Sequence, residues 1–250
     1  MQEITVAARL ALTDIRLVYR RSTLGPLWVT GTLFAQISVI GLLFSRLFDQ
    51  STFGYLLHLG SGLIAWTFVV STLNESAMSL ITSGPLIKQV LLPPTVHVYR
   101  VVFKNAFLLA HNLLALVPFY FLSPGTLSLW SLLVVPGLVL AVINLGWVAV
   151  VIATVSARYR DLPAVISGVL VIVFYVTPIL WTEDQLGTSW VRNVIPYNPF
   201  YHLVEVFRGP LLGQPVPVFS AVILLLSAVV GTLIVRRLLT WKGHLIPFWV

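Results

Sequence analysis

The sequence predicts an all-α integral membrane protein with six transmembrane helices, an N-terminal amphipathic interfacial helix, and a periplasmic re-entrant segment before the last span. Three observations carry this reading. Hydrophobic residues make up 58% of the 250 and charged residues only 9%, with a mean hydropathy of +0.96, so the chain needs lipid as its solvent. The apolar residues fall into runs near the roughly 20 residues that an α-helix needs to cross the hydrocarbon layer, and short loops separate them. Lysines and arginines concentrate in alternate loops.

The elements follow in order. Residues 3–22 form an amphipathic helix with Ile4, Ala8, Ala11, Leu12, Ile15, Val18 and Tyr19 on one face and Arg9, Arg16 and Arg20 opposite, the pattern of a helix lying among lipid headgroups. Gly25-Pro26 breaks its direction. The first span runs from Pro26 to Ser45, ending near Arg46 and Asp49, and the second from Leu59 to Leu80, carrying Asn74 and Glu75 near its end. The third covers Val101 to Leu122, and the fourth Leu127 to Val155 with a kink at Pro136. The fifth covers Leu162 to Trp181 and the last Pro217 to Val235.

Residues 182–214 are too polar to cross and too apolar for an ordinary loop. Trp190, Ile195, Tyr197, Phe200, Tyr201 and Phe207 lie among Pro196, Pro199 and Pro210, which predicts short broken helices dipping into the membrane. The 186–213 stretch is read as an outer gate with Tyr197, Phe200, Tyr201, Phe207 and Arg208 along it; the competing reading is an amphipathic cap that lines no pathway.

Under six spans, Arg9, Arg16, Arg20, Arg21, Lys88, Arg100, Lys104, Arg158, Arg160, Arg236, Arg237 and Lys242 share one face, against Arg46, Arg192 and Arg208. Twelve against three places both termini and the loops at 81–100 and 156–161 in the cytoplasm. The net charge of +7 is therefore read as topology rather than as affinity for nucleic acid. The N-terminal arginines alternate with apolar residues instead of preceding a short apolar block, so no cleavable signal is expected.

Several chemistries are unsupported. There is no cysteine to form disulfides or thiolate sites. The three lysines are followed by Gln89, Asn105 and Gly243, so no Gly-Lys-Ser/Thr loop exists to cradle a nucleotide's phosphates. His58, His97, His111, His202 and His244 lack paired ligand spacing and read as packing or polar-interface residues, with no metal expected. Glu183-Asp184 is the one adjacent carboxylate pair; it reads as solvated loop charge, leaving a membrane-embedded glycan-modifying enzyme as the weaker alternative. Glu75 and Lys104 fall at similar depth on consecutive antiparallel spans, which predicts a helix-pinning ion pair in preference to an ion relay.

Four stretches resemble the motifs of a known family. Tyr197-Asn198-Pro199-Phe200-Tyr201-His202-Leu203-Val204-Glu205-Val206-Phe207-Arg208-Gly209-Pro210-Leu211-Leu212-Gly213 is the most specific. Tyr19 to Trp28, Ala157-Arg158-Tyr159-Arg160-Asp161-Leu162 and Thr177-Pro178-Ile179-Leu180-Trp181 are the others. Together they resemble the permease subunits of type-2 ABC exporters of cell-surface polysaccharides, in the O-antigen, teichoic acid and capsule branch, and the resemblance spans essentially the whole chain. It implies one transmembrane domain over residues 1–250, a homodimer joined to two ATP-binding cassette ATPase subunits, and a lipid-linked polysaccharide as cargo. It implies a transport subunit without its own nucleotide site, with ATP and Mg on the partner and no cofactor bound by this chain, in the cell inner membrane. By the same resemblance Leu86, Ile87, Lys88, Gln89, Leu91, Leu92 and Pro93 form the coupling helix seated on the ATPase, with Leu92 where the family often carries an aromatic residue. Arg158 and Arg160 are read either as an entrance for a lipid pyrophosphate, since guanidinium groups fork onto phosphate, or as plain positive-inside anchors.

Overall fold

The computed structural model describes residues 2–20, 25, 27–89, 92–123, 125–187 and 189–250, and the regular structure among them is entirely helical. Arg21 to Leu24, Pro26, Val90 and Leu91 lie outside the described residues, as do the side chains of Val18 and Asp184.

Helix α1 (Gln2–Tyr19) is amphipathic and packs through its small residues. Ala7 and Ala11 are fully buried, while Ile4 and Leu12 stay 55% and 40% exposed. Small side chains let two helix backbones approach closely, and charged residues on the same stripe fix the register. Glu3 and Asp14 both reach residues of α5, as described below.

Helix α2 (Leu27–Leu47) buries Thr30, Leu33, Ile37, Gly41 and Ser45, one residue per turn along a single stripe, and leaves its other faces open. That stripe meets α3 (Thr52–Thr82), whose 31 residues span about 46 Å and exceed the roughly 30 Å hydrocarbon layer. Helix α3 is the most enclosed of the long apolar helices, buried from Tyr55 to Leu80 on nearly every turn. After α4 (Gly84–Gln89), α5 (Pro94–Asn112) runs back antiparallel. A 3-10 turn at Leu113–Leu116 joins it to α6 (Val117–Leu122), because Pro118 has no N–H to give and its ring crowds the carbonyl four residues back.

A second 3-10 turn, Leu129–Leu133, leads into α7 (Val134–Arg158). Pro136 therefore sits in the first turn of α7, where its missing N–H has no intrahelical partner, and the 3-10 turn lies directly before it. Helix α8 (Leu162–Val176) is shorter than the Leu162–Trp181 span expected. Thr177 precedes Pro178 and is extended, as steric crowding by a following proline favours. Its 15 residues cover about 22 Å. The short α9 (Val191–Val194) and α10 (Pro199–Leu211) follow, then α11 (Val218–Lys242) and α12 (Ile246–Trp249).

Among the described residues, five helical stretches are long and apolar enough to cross a membrane: Leu27–Leu47, Thr52–Thr82, Pro94–Leu122, Leu129–Arg158 and Val218–Trp249. The protein is a multi-pass membrane protein. The core divides along the bundle. Around Tyr55, Trp66, Leu145 and Phe207, α3 packs with α2, α5, α7 and α10; nearer the other end, Leu80, Ile87, Val98, Val150, Val235 and Ile246 form a second cluster.

Among the described glycines, the one in the turn after α10 comes closest to another segment's backbone. Gly213 has φ +71°, and a Cβ there would collide with the Thr126 carbonyl. Gly213→Ala is expected to lower stability by about 1–3 kcal/mol, read as a fall in the melting temperature of the detergent-solubilised protein. Gly168→Ala, in open space on α8, is expected to hold or raise it; equal melting temperatures for the two variants would contradict this account.

Candidate functional site

The candidate residues fall at the two ends of the bundle. One end collects α1, α4, the start of α5, the end of α7 and the 243–250 segment, together with most of the lysines and arginines; it is called the basic end here. The far end collects the α2–α3 and α6–α7 connections and the broken helices.

At the basic end, ion pairs fasten α5 on two sides. Arg100 makes a two-pronged hydrogen-bonded pair with Asp14 of α1, and Lys104, one turn on, pairs with Glu75 of α3. Thr95 donates to Glu3 Oε2 at 2.9 Å. The α1–α5 contact is thus polar at both ends and small-residue in the middle. Within α4, Ile87 is buried in the basic-end cluster while Leu86, Lys88 and Gln89 are exposed, so a hydrophobic anchor holds a helix whose other side is free. Leu92 is half-buried and Pro93 exposed. Leu86 also lines a cleft of about 480 Å³ with Asp14, Glu75, His97 and Arg100.

Arg158 and Arg160 are both exposed, but they differ in commitment. Arg160 Nη2 donates to the Trp249 carbonyl at 2.8 Å, tying the α7–α8 loop to α12. Arg158 is the freer cation.

At the far end, Pro199 opens α10 with Asn198 as its cap: the Asn198 side chain accepts from the Phe200 amide at 3.0 Å and donates to Thr177 Oγ1 at 2.9 Å. His202 is buried and bonds Ser220 Oγ through Nδ1 and the Pro196 carbonyl through Nε2, both at 2.9 Å. Tyr120 donates to the Leu211 carbonyl at 2.6 Å, and Ser128 to that of Gly213 at 2.7 Å. Helix α10 is therefore anchored at its start, middle and end.

The gate residues are not equivalent. Tyr197 is 85% exposed and lines a cavity of about 570 Å³ with Glu183 and Arg192. Phe200 meets Trp66 edge to face at 5.8 Å, and Tyr201 meets His202 edge to face at 5.2 Å. Phe207 is packed in the core, and Arg208, 3% exposed, donates from Nη1 to Glu205 Oε1 at 2.9 Å. Its Nη2 lies against Gly62 of α3, close enough that a Cβ at 62 would stand 2.5 Å from it. Arg208 Nε and Nη2 have no hydrogen-bond partner among the described residues. A guanidinium so enclosed is tolerable only while its carboxylate stays beside it.

Residues 8–212 match the family described as ABC-2 type transporter. The chain belongs to that family. It is similar to an O-antigen export system permease protein RfbA of Klebsiella pneumoniae, 24% identical over 205 residues, which cover 78% of this chain and 75% of that protein. It is likewise similar to an RfbA of Myxococcus xanthus, 22% identical over 208 residues, which cover 82% and 79%.

In this ABC-2 transporter chain, sequence reasoning placed Glu75 opposite Lys104 but missed the Asp14–Arg100 pair, because 86 residues separate the partners and no periodicity links them. The Asn198–Thr177 bond was also missed as a contact. Its local signal was present, since an asparagine directly before a helix-opening proline is a capping pattern. Glu205→Gln should destabilise the protein by about 3 kcal/mol by leaving a buried guanidinium uncompensated, and Glu205→Gln/Arg208→Met should recover part of that loss. Melting curves in detergent read both; a double variant less stable than the single one would refute a charge-pair explanation.

Proposed function

We propose that this chain is the permease subunit of an ATP-driven exporter that moves a lipid-linked polysaccharide of the O-antigen type from cytoplasm to periplasm across the inner membrane. The observation that carries this reading is family membership over residues 8–212 together with relatives named for O-antigen export that align with most of the chain. On this reading two copies form the pathway and each engages an ATP-binding cassette ATPase, which binds ATP and Mg.

The basic end is the cytoplasmic face, in keeping with the excess of lysines and arginines there. Helix α1 lies in the interface: its alanines meet α5, its larger apolar residues meet lipid, and Arg9, Arg16 and Arg20 face headgroups and water. Helix α8, extended by residues 177–181, completes six spans. The coupling region at 81–100 centres on α4, whose exposed Leu86, Lys88 and Gln89 meet the ATPase while Ile87 passes displacement into the basic-end cluster. Arg158, with Arg160 beside it, receives the anionic lipid pyrophosphate by forked hydrogen bonds. The 186–213 segment is the outer gate. In it, the exposed Tyr197 and the partly exposed Phe200 and Tyr201 offer ring faces to sugars, while Phe207 and Arg208 hold α10 to α3.

Replacing Lys88 by Glu together with Leu86 by Ala is expected to cut export and ATPase co-purification at least about tenfold while membrane insertion is unchanged. Full export with an intact complex would sink the coupling assignment.

Topology has a separate test, which the absence of cysteine makes clean. A Gln89→Cys protein should be modified by an impermeant maleimide in inverted vesicles and not in intact spheroplasts, and Tyr197→Cys the reverse. Labelling of Cys at 89 from the outside would reverse the orientation.

A further inference from the structure

Helices α5, α7 and α11 do not close on one another along their whole length. Between them runs a groove of about 670 Å³, walled by apolar side chains such as Phe103, Val142, Ile143 and Leu239 and floored by Gly146. On α5 its lining extends from Thr95 to Ala106, about 16 Å of helix. That matches one leaflet of a roughly 30 Å hydrocarbon layer. The charged side chains that line it, Glu3 of α1 and Arg236 of α11, accompany Thr95 at the α5-start end, where lipid headgroups lie if the rest of the groove sits among acyl chains.

The mouth carries one acid and one base that do not satisfy each other. Glu3 accepts from Thr95 through Oε2, and its second oxygen has no hydrogen-bond or ion-pair partner among the described residues. Arg236 is exposed and has no carboxylate within ion-pair distance among the described residues. A purely anionic headgroup would meet repulsion from Glu3, and a quaternary ammonium has no N–H to donate to it. A headgroup with both a phosphate and a primary ammonium matches the pair: the guanidinium forks onto phosphate oxygens, and the carboxylate accepts from the ammonium.

We propose that this groove binds one phospholipid with a primary-ammonium zwitterionic headgroup, its phosphate on Arg236, its ammonium on Glu3 and an acyl chain lying over Gly146. The glycine creates the space. The nearest atom to a Cβ built there is Tyr99 Cε1 at 3.9 Å, ordinary contact, so a larger side chain grows into the groove instead of into neighbouring backbone. The site depends on the multi-pass architecture and not on which polymer is exported.

Native mass spectrometry of the full-length chain in mild detergent, with dioleoyl phosphatidylethanolamine, phosphatidylcholine and phosphatidylglycerol added at equal concentration, tests this. One phosphatidylethanolamine per chain should be retained in preference to either competitor by about tenfold. Gly146→Leu should abolish retention, Gly146→Ala should weaken it less, and Arg236→Gln should erase the headgroup preference. Ile143→Trp, which narrows the groove from its open side, serves if Gly146→Leu is not monodisperse. Undiminished retention in both groove-filling variants would overturn the site, and a preference for phosphatidylglycerol would overturn the headgroup assignment. An efficient disulfide between two Val139→Cys chains would make a second copy the occupant and overturn the lipid.

Discussion

Everything in the bundle leans on α3, and α3 can serve as its axis only because glycines open it to its neighbours. At Gly60 a Cβ would meet Leu116 and Ile37; at Gly62 it would meet the Arg208 guanidinium and Ile179. Gly41 gives α2 the same closeness to Leu56 and Leu59. Lipid tails are as apolar as leucine, so burial of apolar surface supplies little drive between helices in a membrane, and close van der Waals contact plus a few interhelical hydrogen bonds must replace it. Such bonds join several helix pairs. Asn144 donates to the Leu224 carbonyl at 3.1 Å, Ser167 to Asn74 at 2.9 Å and Thr30 to Asn112 at 3.3 Å.

The two ends are held differently, and the difference bears on what each can do. At the basic end the fastenings are mostly ionic or run to a backbone carbonyl, and most sit on partly exposed side chains: Asp14 with Arg100, Glu75 with Lys104, Arg160 with Trp249. Such pairs cost little to rearrange because water compensates the separated charges. At the far end the fastenings are mostly buried or half-buried neutral hydrogen bonds from Asn198, His202 and Tyr120, with one enclosed ion pair. Breaking any of them without an immediate replacement leaves a polar group in an apolar surround, which is expensive. Motion of α10 as a unit with its anchors is therefore cheaper than motion within it.

Much of the fold was legible because membrane helices advertise themselves by length and hydropathy, and because prolines punctuate this chain at physically meaningful places. Pro118, Pro136, Pro178, Pro199 and Pro210 each coincide with a break, a first turn or the tail of a short helix. The Glu75–Lys104 pair was legible too, since a hairpin of two spans puts its members at one depth. Periodicity did not show that α1 has a second committed side: Ala7, Glu3 and Asp14 turn to α5, while Ile4 and Leu12 of the apolar face stay exposed.

The sequence by itself determined that the chain lives in a membrane, where its helices lie and which loops share a side, because these follow from local hydropathy, helix length and the distribution of lysine and arginine. Only the tertiary structure decided which candidate residues are committed. It sorted Tyr197 from Phe207 along one short segment, bound Arg160 to a backbone carbonyl while leaving Arg158 open, and enclosed Arg208 against a glycine on another helix. Those distinctions rest on contacts between residues distant in the chain, and no rule of spacing along one helix contains them.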